Sequence, residues 1–150
     1  MDWKLKGFVH SGITVKDLKR SIDFYENSLG LELVRLQTND KPYIYDLVNI
    51  QGLEKIELAF LQTPDGQIVE LLEYHGETIE DGSSLHSHYG TGHICLHVEN
   101  LDAMYEHLQR RNTDIISEHV VQITSGRHAG SKAIYLRDPD GYVIEVLEYI

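Results

Sequence analysis

The chain has 150 residues and a mass of 17.2 kDa, the size of one domain with enough interior to fold without a disulfide or a structural metal. Apolar residues at 41% and charged residues at 25% exclude a disordered or fibrous chain, and no apolar run is long enough to cross a bilayer. With 24 acidic against 13 basic residues the formal charge is −11, which disfavours nucleic acid and anionic membranes as partners.

Cys95 has no second cysteine to pair with, and the first residues (Met1, Asp2, Trp3, Lys4, Leu5, Lys6) lack the apolar core of a signal peptide. A reducing, cytoplasmic setting is the expectation. Along the chain, residues 7–15 read as a strand, and Asp17 can cap a helix that carries Leu18, Ile22, Tyr25 and Leu29 on one face and ends at Gly30. Strands are predicted over 31–37, 43–50, 54–61 and 67–74. Residues 75–92 are polar, rich in Gly, Ser and His, and read as a linker. A strand over 93–98 follows, then a helix capped by Asn100 with Leu101, Met104, Tyr105 and Leu108 as its apolar stripe, running to about 112. Strands over 115–123, 131–137 and 142–149 complete the chain.

The two halves repeat one another. Pro64-Asp65-Gly66-Gln67-Ile68-Val69-Glu70-Leu71-Leu72-Glu73-Tyr74 returns as Pro139-Asp140-Gly141-Tyr142-Val143-Ile144-Glu145-Val146-Leu147-Glu148-Tyr149, identical at seven of eleven positions. A weaker match sets His10 through Leu18 against His93 through Leu101. The Pro-Asp-Gly triplets are hairpin turns, proline presetting φ and glycine supplying its positive value. Each half is thus a βαβββ module, residues 7–74 and 93–149, and the chain is an α+β domain of two tandem modules, pseudo-symmetric, with the helices on the outer face of mixed sheets.

Strand alternation assigns faces. Val9, Ile13 and Val15 share the helix side of the first strand, placing His10, Gly12 and Thr14 opposite; in its twin Ile94, Leu96 and Val98 face the helix, and His93, Cys95 and His97 face away. Glu70 and Glu145 stand on the same non-helix face, while Glu73 and Glu148 fall on the other and are expected to be solvated. A mid-strand glutamate is costly to bury unless it is paired or ligates a cation. Two histidines and two glutamates at equivalent repeat positions therefore suggest a divalent-metal site formed by His10, Glu70, His93 and Glu145, with Ni, Co, Zn, Mn or Fe all compatible.

At these residues the chain resembles the vicinal-oxygen-chelate superfamily, which includes glyoxalase I, methylmalonyl-CoA epimerase, extradiol dioxygenases and antibiotic-resistance proteins. The matching motifs are His10 with Val15-x-Asp17-Leu18 and Ser21-x-x-Phe24-Tyr25-x-x-x-Leu29-Gly30-Leu31, Val69-Glu70-Leu71, Gly92-His93-Ile94, and Asp138-Pro139-Asp140-Gly141 leading to Glu145. The resemblance implies a U-shaped sheet enclosing one metal, and a glyoxalase-type isomerase or lyase. Such an enzyme chelates vicinal oxygens of a small carbonyl substrate and stabilises an enediolate during proton transfer, with Glu145 the first candidate for the base and Glu70 the second.

Glutathione-dependent members carry an arginine and an asparagine where this chain has Thr14 and Tyr74. Those two residues, with His97 and Arg127, are the candidate substrate contacts. The alternatives are an Fe(II) extradiol dioxygenase held by His10, His93 and Glu145, an epimerase acting on an acyl-CoA, and a non-catalytic antibiotic-binding protein. Glu70 as a fourth ligand favours the isomerase or lyase, because it leaves fewer positions for both a catecholate and dioxygen. A homodimer is expected, with the metal site either within one chain or shared across the dimer. Among the remaining residues, His86 and His88 are read as loop residues, Tyr43 and Tyr45 as part of an aromatic strand, Ser125 through Gly130 as an exposed hairpin, with a mobile loop able to meet an anionic substrate group as the alternative, and Cys95 as a small buried residue.

Overall fold

Local signals set each element of the first half. In the computed structural model, which describes residues 3–77, 79–82 and 85–149, the elements of this half are β1 (Ser11–Thr14), α1 (Leu18–Asn27), β2 (Glu32–Asn39), α2 (Pro42–Val48), β3 (Leu53–Gln62) and β4 (Ile68–Gly76). The second half holds β5 (His93–His97), α3 (Leu101–Arg110), β6 (Val121–Gln122), β7 (Lys132–Arg137) and β8 (Val143–Glu148). The chain divides into two compact units, Met1–Glu80 and Asp81–Ile150. Each contains one four-stranded mixed sheet, in the order β1-β4-β3-β2 or β5-β8-β7-β6. In both, the first strand runs parallel to the last and the other pairs are antiparallel. The fold is therefore α+β, built from two βαβββ modules.

In the first unit α1 starts where the Asp17 carboxylate accepts the Arg20 N–H at 2.9 Å. Its buried positions are Ser21, Phe24, Tyr25 and Ser28, so the inward stripe lies a little to one side of the expected Leu18, Ile22 and Leu29, which flank it half-buried. The serines leave room for the helix to approach the sheet, where Ile13, Val15, Leu61, Val69 and Leu71 close the core. Full burial of a large aliphatic residue such as Leu71 contributes about 1.5–3 kcal/mol.

The expected first strand is shorter than its pattern. Residues 3–10 are exposed and irregular, and Val9, expected on the core face, is 80% exposed. The expected strand over 43–50 is the helix α2. Pro42 sits at its first turn, Asn49 closes it in the left-handed region at φ 50°, and Ile44 and Val48 are one helical turn apart. The aromatic alternation of Tyr43 and Tyr45 had imitated a strand. With that element removed, the unit has the three strands after α1 that a βαβββ module requires. α2 covers one end of the non-helix face of the sheet, packing Ile44 against Leu53, Ile56 and Leu58, with Leu72 and Tyr74 beside them. His75, expected in the linker, lies within β4.

In the second unit the α3 stripe is as expected, with Leu101 and Leu108 buried and Met104 and Tyr105 half-buried. The strand expected over 115–123 is reduced to a bridge at Ile115 and the two residues of β6. Ser117 accounts for the interruption: its hydroxyl oxygen accepts the Tyr135 N–H at 2.8 Å, a place a strand carbonyl would take. Both Pro-Asp-Gly turns form as expected. Gly66 and Gly141 have φ of +91° and +90°, and their N–H groups donate to the carbonyls of Thr63 and Asp138 at 2.9 and 3.0 Å.

Candidate functional site

The strand pattern delivers one histidine and one glutamate to each sheet. In the first unit His10 immediately precedes β1, and its Nε2 lies 3.0 Å from Glu70 Oε2. In the second, His93 opens β5 and its Nε2 lies 3.3 Å from Glu145 Oε2. The glutamates are the more enclosed partners, with side chains 13% and 23% exposed against 40% and 42% for the histidines. Two ligand atoms about 2.1 Å from one ion at right angles stand about 3.0 Å apart, so each pair is spaced for adjacent positions on a divalent ion. An imidazole with a carboxylate is also the donor set that Zn, Ni, Co, Mn and Fe accept. The residues present fit a metal.

Around the two glutamates the modules differ. Glu145 lies between Tyr135 on β7 and Cys95 on β5 in the strand register, so a phenol and a thiol flank its carboxylate on the two neighbouring strands. Loss of solvent, then the Glu145 charge, pushes the Cys95 thiol up to about 11 and also raises the Tyr135 phenol. Both groups stay protonated near neutrality. Cys95 was expected to be buried but is exposed, because the non-helix face of β5 carries no covering element within its unit. The Tyr135 ring also lies 5.5 Å from that of His93. Glu70 lies between Phe60 and Gly12, neither with a side-chain donor.

Glu73 and Glu148, expected to be solvated, serve the helices. Glu73 accepts the Leu18 N–H at 2.7 Å, and Glu148 accepts those of Asn100 and Leu101 at 3.0 and 3.1 Å. These are backbone donors that a helix start leaves without an intrahelical partner, and the carboxylate also meets the positive end of the dipole. Glu57, Glu73 and His75 form a separate cluster whose ligand atoms lie within 4.8 Å of one another, a triad able in principle to coordinate a cation. Its carboxylates already have partners: Glu57 contacts Lys55 Nζ at 3.3 Å and His75 Nε2 at 2.8 Å, and Glu73 caps α1.

The expected substrate residues are spread more widely. Tyr74 is on the Glu70 face of β4, in the apolar cluster beneath α2, and its phenol is raised by burial and then by Glu70. Thr14 is exposed at the end of β1, opposite Leu72. His97 packs edge-on against Tyr149 at 4.9 Å, and Arg127 lies in the exposed turn closed by the Gly130 N–H donating to the Ile123 carbonyl. His86, with Thr91, Gly92 and Tyr142, borders an open cavity of about 230 Å³ beside the start of β5. Sequence reasoning missed Tyr135 and the capping glutamates. The repeat held the signal: Phe60 and Tyr135 each stand ten residues before the strand glutamate, and Glu73 and Glu148 three after it.

Comparison with known proteins supplies the context. The chain is 31% identical over 143 residues to a lactoylglutathione lyase of Salmonella typhimurium, covering 93% of this chain and 90% of that protein. It is 28% identical over 148 residues to glyoxalase I of Saccharomyces cerevisiae, where it covers 95% of its own length and 43% of the yeast protein. A solved glyoxalase family protein from Bacillus cereus superposes with a TM-score of 0.83 at 20% identity, covering 99% of this chain and 97% of that one, a likeness of fold. The model of the Glyoxalase/Bleomycin resistance protein/Dioxygenase superfamily matches residues 7–146, and the chain belongs to that superfamily.

Proposed function

We propose that His10, Glu70, His93 and Glu145 hold one divalent cation and that the protein is a metal-dependent isomerase or lyase of the glyoxalase type. The observation that carries this reading is the pair of histidine–glutamate contacts, 3.0 and 3.3 Å, at equivalent places in the two modules. A bound ion would supply Lewis-acid polarisation of two vicinal oxygens on a small carbonyl substrate. The chain's own part is to position that substrate and to move a proton. Glu145 takes the proton from the carbon beside the carbonyl, since the phenol of Tyr135 and the thiol of Cys95 flank it on the neighbouring strands and confine its carboxylate, and position is the first requirement of a general base. Glu70 is the second candidate for the base. His97, Thr14, Tyr74 and Arg127 remain proposed substrate contacts.

On this reading residues 1–150 act as one domain, with a module at 7–74, a connection over 75–92 and a second module at 93–149, in a cytoplasmic homodimer. Neither a membrane nor nucleic acid is expected as a partner, because the chain carries a net charge of −11. The name of the Salmonella relative makes lactoylglutathione formation the first reaction to try. The test is metal analysis of the purified protein with proton–deuteron exchange into α-hydroxycarbonyl, thiohemiacetal and acyl-CoA substrates. Stoichiometric metal with exchange supports the proposal. Absence of metal binding under any loading condition overturns the site, and oxygen uptake with catechols without exchange overturns the reaction class.

A further inference from the structure

One row of residues crosses the first sheet from edge to edge. Arg35 on β2 is opposite Phe60 on β3, Phe60 opposite Glu70 on β4, and Glu70 opposite Gly12 on β1. Arg35 owes this place to a bulge. The β2–β3 register passes from Leu33 opposite Leu61 directly to Arg35 opposite Phe60, and the unpaired Val34 turns the arginine onto the Glu70 face.

There the side chain is held from two sides. Its guanidinium carbon lies 4.4 Å from the centroid of the Phe60 ring, and Nη2 donates to Gln37 Oε1 at 2.8 Å. Gln37 Nε2 in turn donates to Asn39 Oδ1, two residues further along the same face. No carboxylate among the described residues lies within ion-pairing distance of Arg35. By contrast, Arg110, Lys132 and Arg137 each meet an acid. A cation held in place with donors to spare and no internal counter-charge is arranged for an external anion.

We propose that Arg35 is the recognition point for an anionic oxygen-bearing group, a carboxylate or a phosphate, at the far end of the substrate, and that the Phe60 ring is the support that holds the guanidinium in place beside the Glu70 strand. This rests on the proposed function, because the reacting end is taken to lie at Glu70. Neighbouring strands are about 4.8 Å apart, so the backbones of Arg35 and Glu70 are about 10 Å apart along the row, and the guanidinium, which lies over the Phe60 ring, reaches back toward Glu70 from there. A substrate spanning it has a vicinal-oxygen head, a short apolar middle and an acidic tail.

Hydroxamates chelate divalent metals through two adjacent oxygens, so a shared hydroxamate head with different tails separates head binding from tail binding. The monohydroxamates of glutaric, adipic and suberic acid and their methyl esters are titrated calorimetrically into the Co²⁺-loaded protein, with the visible spectrum of the cobalt followed in parallel. For at least one tail length the acid is expected to bind about tenfold tighter than its ester. Arg35→Gln should erase that preference without altering ester affinity or the thermal midpoint, and Arg35→Lys should restore part of it. Equal binding of acid and ester at every length, or a preference that survives Arg35→Gln, overturns the role of Arg35. If neither acids nor esters bind or perturb the cobalt spectrum, the chelating site itself fails and this inference with it.

Discussion

The two modules put a glutamate at the same place in the same sheet but surround it differently. Glu145 is flanked by a phenol on one neighbouring strand and a thiol on the other. Glu70 has the ring of Phe60 and the bare backbone of Gly12 at those two positions, and beyond Phe60 the cation of Arg35. A repeat thus conserves the backbone that presents a group while each copy sets that group's chemistry through its cross-strand neighbours. One copy flanks its carboxylate with two polar side chains; the other sets beside it an aromatic ring with a cation lying over that ring.

The largest effect should come from removing the carboxylates themselves. Glu145→Gln is expected to slow proton exchange by about 10² to 10⁴, with a smaller loss in Glu70→Gln. Deuterium incorporation followed by NMR checks both, and a larger loss in Glu70→Gln would reverse the assignment of the base. Next, Tyr135→Phe gives the second module the ring of the first. Metal affinity or exchange rate should fall about tenfold, the usual effect of losing a group that orients a ligand. Competition with a chromophoric chelator measures it, and an unchanged affinity and rate would make the phenol a bystander.

The capping glutamates extend the comparison to stability. Glu73→Ala and Glu148→Ala should each cost about 1–2 kcal/mol in urea unfolding. The loss should be larger at Glu148, which accepts from two backbone N–H groups where Glu73 is shown with one. The smallest effect concerns Cys95. Its thiol is raised from 9.0 to about 11 in the folded state, so folding favours the protonated form. That contribution is fully present below the unfolded value and is lost as pH rises from 9.0 through about 11. Metal-free protein should lose slightly less stability over this window as Cys95→Ser than as wild type, and its thiol should react slowly with iodoacetamide near neutrality.

Several features were legible because they depend only on neighbours along the chain. The Pro-Asp-Gly turns need a fixed φ followed by a positive one, and no partner elsewhere. The α3 stripe follows from helical spacing alone. Strand parity placed His10 with Glu70 and His93 with Glu145, since each pair lies on strands whose faces alternate predictably. The failures share a different cause. The segment 43–50 alternates like a strand, but Ile44, Tyr45 and Val48 are held as a helix by the apolar cluster of Leu53, Ile56 and Leu58. Ser117 breaks a predicted strand through a hydrogen bond to Tyr135, eighteen residues away.

The sequence by itself determined the duplication, the turns, most of the strands and helices, and the identity of the four residues proposed to hold a metal. All of these are written in spacing and alternation. Tertiary structure decided what each of those residues meets. Glu73 and Glu148 became helix caps because folding carries them to backbone N–H groups 55 and 47–48 residues distant. Arg35 joined the row of Glu70 because a bulge shifted its register by one residue. Periodicity assigns a side chain to a face; its partner there depends on which strand lies alongside and in what register, and chain closure over long distances sets both.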